Sequence, residues 1–199
     1  MEIVTGRPPF PWAESVQYSQ SVADARELPF DAEFDVVVSF TALHWVVERH
    51  VDALSGIRRA LVPGGRVAVT FPGAGNMAQL AETAAEVSAR PAWADAFAGF
   101  RFPWFMPAAA VYRPLVDAAG LEVTRLDLVQ KDVAHAGPEG LAGWVRTTWM
   151  PYTDRLPPDR RGAWIDDVVA AYAERMPADE QGRLHVPSYR LELEARRPG

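Results

Sequence analysis

Residues 34–46 read FDVVVSFTALHWV, and this stretch decides the fold. Phe34 to Phe40 is a near-continuous β-branched run, the composition of a parallel strand covered on both faces. The run breaks at Ser39-Phe40-Thr41 and then delivers His44 and Trp45 together. After it, Val47, Val51, Leu54, Ile57, Ala60 and Leu61 recur at helical spacing over 46–61. Glu48 and Asp52 come early in that span and Arg58 and Arg59 late, an order that suits the helix dipole. Pro63-Gly64-Gly65 reads as a structural stop and turn, and RVAVTFPG as the next strand. Strand, helix, tight turn and strand make a βαβ unit, which implies a right-handed crossover and a parallel sheet.

Working outward, VQYSQSVAD at 16–24 reads as a strand and ARELPF as the loop that leaves it. A helix is predicted from Met77 to about Ala89, then an irregular aromatic run through Trp93, Phe97, Phe100, Phe102, Trp104 and Phe105. A helix over 108–119 ends at Gly120, and LEVTRLDLVQ follows as a strand. Helices over 140–149 and 160–175 flank the proline-rich MPYTDRLPP. The alternation in YRLELEAR suits an antiparallel edge strand. The expected fold is α/β: a mostly parallel sheet with an antiparallel C-terminal edge strand and a helical cap.

Composition narrows the function classes. The 199 residues, 49% hydrophobic and 23% charged, fit one soluble globular domain. A net charge of −6 makes nucleic acid and anionic membranes poor partners. No apolar stretch approaches the ~20 residues that span a bilayer. The start, MEIVTGRPPFPW, lacks the features of a signal peptide. With no cysteine, disulfides, thiol catalysis and thiolate zinc sites are excluded, which fits a cytoplasmic protein. The four histidines, 44, 50, 135 and 185, show no metal-ligand spacing, so no metal is expected. Neither a nucleophile elbow nor a P-loop is present.

Four segments, VADARELPF at 22–30, FDVVVSFTALHWV at 34–46, RRALVPGGRVAVTFPG at 58–73 and the terminal alternating strand, stand in the order and spacing of one family. Together they resemble the back two-thirds of a class I S-adenosylmethionine-dependent methyltransferase, a Rossmann-like fold. Within it, the Leu-His-Trp-Val step at 43–46 and GWVRTTWMPY at 143–152 are similar to the subgroup around trans-aconitate methyltransferase. That family opens with a strand, a glycine-rich loop and a second strand ending in an acidic residue. Nothing before Val16 supplies these, so the first two strands are expected to be missing from a single truncated domain spanning 1–199. The edge of FDVVVSF would then need cover from a missing N-terminal segment, from Val16–Asp24 or from a second copy in a homodimer.

The resemblance implies S-adenosylmethionine as cofactor and a small-molecule substrate. It places Asp24 and Ala25 at the adenine, and Phe40, Thr41 and Ala42 along the methionine arm, beyond the carboxyl end of a strand. The alternative for Asp24 is the cap of a turn. Trp45 is either a pocket wall or a core aromatic. His44 is a structural hydrogen-bonding group or the candidate base, needed for a phenol or carbon acid but not for a carboxylate already ionised near neutral pH. Arg146, Trp149 and Tyr152 form the substrate-pocket candidate: a planar fork for a carboxylate and rigid walls, with Arg146 and Trp149 on one helical face. Their alternative is an amphipathic helix with tryptophans inward and a solvated arginine. The segments near 91–107 and 137–176 read as caps over the mouth, or as core. The expected activity is methyl transfer to an oxygen such as a carboxylate. The alternative is a non-catalytic fragment serving as a small-molecule-binding or interaction module.

Overall fold

A computed structural model describes Glu2–Ile3 and residues 21–199. Two short strands, β1 (Glu2–Ile3) and β2 (Ser21–Val22), pair antiparallel, with Glu2 opposite Val22. Of the strand expected over 16–24, only Ser21–Val22 is one; 16–20 lie outside the described residues. The main sheet has four strands, β3 (Phe34–Phe40), β4 (Leu61–Pro72), β5 (Glu122–His135) and β6 (Leu184–Arg196), in the order β3-β4-β6-β5. The first pair is parallel, with Val37 opposite Val67. Strand β6 runs against its neighbours: Gly64 N–H donates to Arg197 O and Gly73 N–H to Tyr189 O, so one strand advances as the other retreats. The fold is α/β and three of the four strands point one way. The terminal strand is interior, however, where an edge was expected. Its alternation reports faces of unequal burial, which an interior strand shows equally well.

Two compact units divide the chain. The first comprises 1–71, 107–128 and 191–199. Its helix α1 (His50–Ala60) buries Ala53, Leu54, Ile57 and Ala60 on one face, and α3 (Ala109–Ala118) buries Tyr112 and Val116. Tyr112 packs edge-on to Phe71 at 5.3 Å, and its hydroxyl lies 2.8 Å from His50 Nε2. Helix α1 starts four residues later than its periodicity predicts, because Arg49 adopts a left-handed φ of 56°. Pro63-Gly64-Gly65 is likewise no helix stop. Helix α1 closes at Ala60, and 62–65 loop out within β4, since Phe34 faces Leu61 while Val36 already faces Arg66. Gly64 has φ 78°, and a Cβ on Gly65 would sit 2.9 Å from Val62 O, so both positions demand glycine.

Strand β3 departs from expectation in its burial. Val36, Val38 and Phe40 are 48%, 57% and 64% exposed, so the face they share is uncovered among the described residues, although the run reads as covered on both sides. Apolar composition follows from burying one face plus β-propensity; it does not count the covers.

The second unit comprises 72–106 and 129–190. It contains α2 (Ala78–Ser88), α4 (Gly137–Thr148), the single turn α5 (Met150–Thr153) and α6 (Pro158–Arg175). Leu80, Ala84, Val87, Val145, Trp164 and Val168 form the centre of its core. Trp93 and Phe97 are buried in it, with Phe100, Phe102 and Trp104 packed against it. Trp93 Nε1 donates to Asp167 at 2.8 Å, and Arg160 stacks over the same ring at 4.6 Å.

Candidate active site

The first unit carries a cavity of about 580 Å3 beside the carboxyl end of β3, lined by Asp24, Ala25, Arg26, Thr41, Ala42 and Trp45 among others. Two chain reversals build it. Ala25–Glu27 is one 3-10 turn, capped by Asp24, whose Oδ1 accepts the Arg26 N–H at 2.9 Å. The Arg26 side chain returns to the same carboxylate, with Nε 3.0 Å from Oδ1 and Nη2 2.6 Å from Oδ2. That hydrogen-bonded guanidinium holds the Asp24 carboxyl well below the usual carboxylate range, so the group is anionic throughout the neutral range. The pair is exposed and solvent-screened, hence easily opened. On the other side, Thr41, the residue that follows β3, stands at φ 53°, a conformation that costs a β-branched residue energy. Its N–H donates to Thr70 O at 2.7 Å, which fixes the reversal to the neighbouring strand.

Asp24, Ala25, Thr41, Ala42 and Trp45 are thus brought together. Phe40 and His44 are not among the lining residues. Alternation turns the Phe40 side chain to the uncovered face of the sheet. His44 is 2% exposed, its ring 5.3 Å from that of Trp45. Both belong to a separate 3-10 turn, Leu43–Trp45, ahead of α1 and not to the start of the helix. Trp45 is 47% exposed and forms part of the cavity wall.

Arg146, Trp149 and Tyr152 belong to the second unit. Arg146 is exposed on α4 and makes no ion pair among the described residues. Trp149 is fully buried and does not share its face: the helix ends at Thr148, and Trp149 has φ −99° and ψ 37°. Tyr152 is 4% exposed, stacked between Trp149 and Trp164 at 5.3 and 5.2 Å. Burial pushes its phenol up to about 12. Among the described residues, no group of three or more His, Asp or Glu side chains is placed to hold a metal, and no helix is long and apolar enough to cross a membrane.

Sequence reasoning missed Arg26 and the left-handed Thr41. The Asp-x-Arg spacing was a usable signal for the first, since a capping carboxylate is within reach of a side chain two residues on. Nothing local marks Thr41, whose residue type disfavours the conformation it takes.

Comparison with known proteins gives these features a setting. A sequence model described as a methyltransferase domain matches residues 10–69. Among curated proteins nothing matches. A candidate methyltransferase from Bacillus halodurans superposes with a TM-score of 0.53 at 16% identity, covering 89% of this chain and 70% of that one. The YcgJ protein of Bacillus subtilis gives a TM-score of 0.51 at 13% identity over 94% and 74% of the two chains. The [4+2]-cyclase SpnF gives 0.50 at 21% identity over 89% and 56%, so this chain spans little more than half of SpnF. At such identities the shared property is the fold. The chain therefore has a Rossmann-like α/β fold of the kind seen in methyltransferases, and the described lining of its cavity falls within the matched methyltransferase-domain segment.

Proposed function

We propose that the protein is an S-adenosylmethionine-dependent methyltransferase acting on a small molecule, and that the cavity beside β3 receives the cofactor. One observation carries this reading: an acidic cap and a left-handed strand end face a common cavity inside the segment matched as a methyltransferase domain. Proteins of that domain family use S-adenosylmethionine. The residues present fit the group. The volume is within the range of ligand sites. Ala25 and Ala42 leave space, and Asp24 presents only acceptors, the complement of an amino group. In the bound state the cofactor supplies a methyl group on a sulfonium, which needs no activation by the protein. Asp24 and Ala25 hold the adenine, Thr41 and Ala42 line the arm, and Trp45 excludes water from one side. The protein's contribution is alignment and desolvation.

The acceptor we infer is an oxygen, a carboxylate in the first instance. The Leu-His-Trp-Val step and GWVRTTWMPY support a place near the trans-aconitate methyltransferases. Arg146, exposed on α4, offers the planar fork that a carboxylate takes. A carboxylate needs no base, and His44, buried against Trp45, is then a positioning residue. Isothermal titration with S-adenosylhomocysteine tests the reading. Micromolar binding, about −8 kcal/mol, that weakens at least tenfold in Asp24→Ala is the expected result. Absence of binding by folded protein refutes it.

A further inference from the structure

A groove of about 450 Å3 lies wholly within the second unit. One wall is a single face of α2, where Ala85, Ser88 and Ala89 stand at positions i, i+3 and i+4. Ala85 and Ala89 are exposed, where a surface helix ordinarily carries charge. The other wall is aromatic. Phe97, Phe100 and Phe102 surround Tyr152, their ring centroids 5.9, 4.6 and 5.5 Å from its own. Methyl-sized side chains and a bank of rings thus line the same slot.

The polar content of the slot is small and specific. No charged side chain lines it. Ser88 Oγ is occupied as acceptor of Trp164 Nε1 at 3.2 Å. The Tyr152 hydroxyl has no hydrogen-bond partner among the described residues, although Tyr152 is nine-tenths buried. The oxygen itself is not sealed from solvent, so it can donate to whatever enters the slot. Because burial keeps the phenol neutral, donation is its role across the physiological range. An anion entering here would be desolvated with no cation to meet it, which excludes carboxylates and phosphates as occupants.

We propose that this groove binds an uncharged, planar aromatic small molecule whose carbonyl or ether oxygen accepts a hydrogen bond from Tyr152. Rings of such a ligand meet Phe100 and Phe102 edge-on or offset, the arrangements aromatic pairs favour. The site is independent of the methyl-transfer reading, since none of its lining residues contributes to the cavity beside β3.

The test uses 2-acetylnaphthalene as probe, with naphthalene and 2-naphthoate as controls, in isothermal titration against the full chain. One-to-one binding of the ketone is expected, at least tenfold tighter than that of 2-naphthoate. Ala89→Leu and Ala85→Leu fill the slot from an exposed helix face, so both variants should stay folded by circular dichroism and lose the ketone. Tyr152→Phe should weaken the ketone about tenfold and leave naphthalene unchanged. Equal binding of 2-naphthoate, retention of the ketone by a folded Ala89→Leu protein, or no binding by the folded wild type would overturn the proposal. S-adenosylhomocysteine binding is read separately and decides only the methyltransferase reading.

Discussion

Replacing Asn76 with alanine removes one acceptor that serves two donors. Asn76 is 4% exposed, and its Oδ1 accepts the Ser188 hydroxyl at 2.8 Å and the Tyr189 N–H at 3.0 Å. It thereby ties the turn before α2 to β6 within the second unit. Each neutral hydrogen bond is worth about 1 kcal/mol net, and leaving a buried donor unpaired raises the cost toward 2 kcal/mol apiece, so Asn76→Ala should lose about 2–4 kcal/mol. In a chain of this length each kcal/mol moves Tm by about 2–4 °C, which predicts a fall of about 4–16 °C. Urea unfolding followed by tryptophan fluorescence, together with calorimetry, gives both quantities. Ser188→Ala removes one of the two bonds and should cost about 1 kcal/mol, and the double mutant should show a coupling of about that size. A loss of less than about 0.5 kcal/mol for Asn76→Ala would refute the reasoning, because surface substitutions without such partners fall in that range.

Three further outcomes are expected. Thr41→Gly should raise stability by about 1 kcal/mol, since glycine relieves the left-handed strain of a β-branched residue, less the entropy it adds to the unfolded chain; a lower Tm contradicts this. Leu54→Ala, at a fully buried position of α1, should cost about 2–5 kcal/mol in urea titration. The last concerns His185, whose Nε2 meets Asp179 at 2.9 Å and whose Nδ1 meets Asp132 at 2.6 Å. Both carboxylates, Asp179 foremost, raise the imidazole above its usual range. A raised folded value means that this contribution is complete below pH ~6.5 and is lost as pH climbs through the folded pKa. Asp179, held low by His185 and by N–H groups of the 181–183 turn, contributes above pH ~4 and fades on acidification. Stability measured across pH should therefore decline from pH 6 to 9 in the wild type and decline less in His185→Gln; parallel profiles would count against the clamp.

Much of the fold was legible because periodicity reports local burial. FDVVVSF, the helix over 78–88 and the terminal alternating strand are where their patterns place them. Pattern does not report neighbours, which is why β6 turned out interior and why the apolar Val36-Val38-Phe40 row has no cover among the described residues. Backbone choices made by single residues were also hidden: a left-handed Arg49 shortened α1, and a looped-out Pro63-Gly64-Gly65 replaced the expected turn. At the candidate site, Asp24, Ala25, Thr41, Ala42 and Trp45 were named from the resemblance of their segments to a known family, and the structure gathers them around one cavity. The aromatic residues at 93–105 and 144–152 were visible as a class, but their shared core, and the slot between Tyr152 and the α2 alanines, depend on contacts distant in sequence.

The interior place of β6 governs the order in which the molecule can be built. During synthesis β3, α1 and β4 emerge together and form a local βαβ unit. The slot between β4 and β5 must stay open until residues 184–196 arrive. The closing contacts are long: Arg197 Nη1 reaches the carbonyl of Leu61 across 136 positions. Closure of so distant a loop is entropically costly and slow, and two unpaired strand edges wait for it. The sheet is therefore completed only once nearly the whole described chain has left the ribosome, and the interval before closure is the period in which the nascent protein most needs protection from its neighbours.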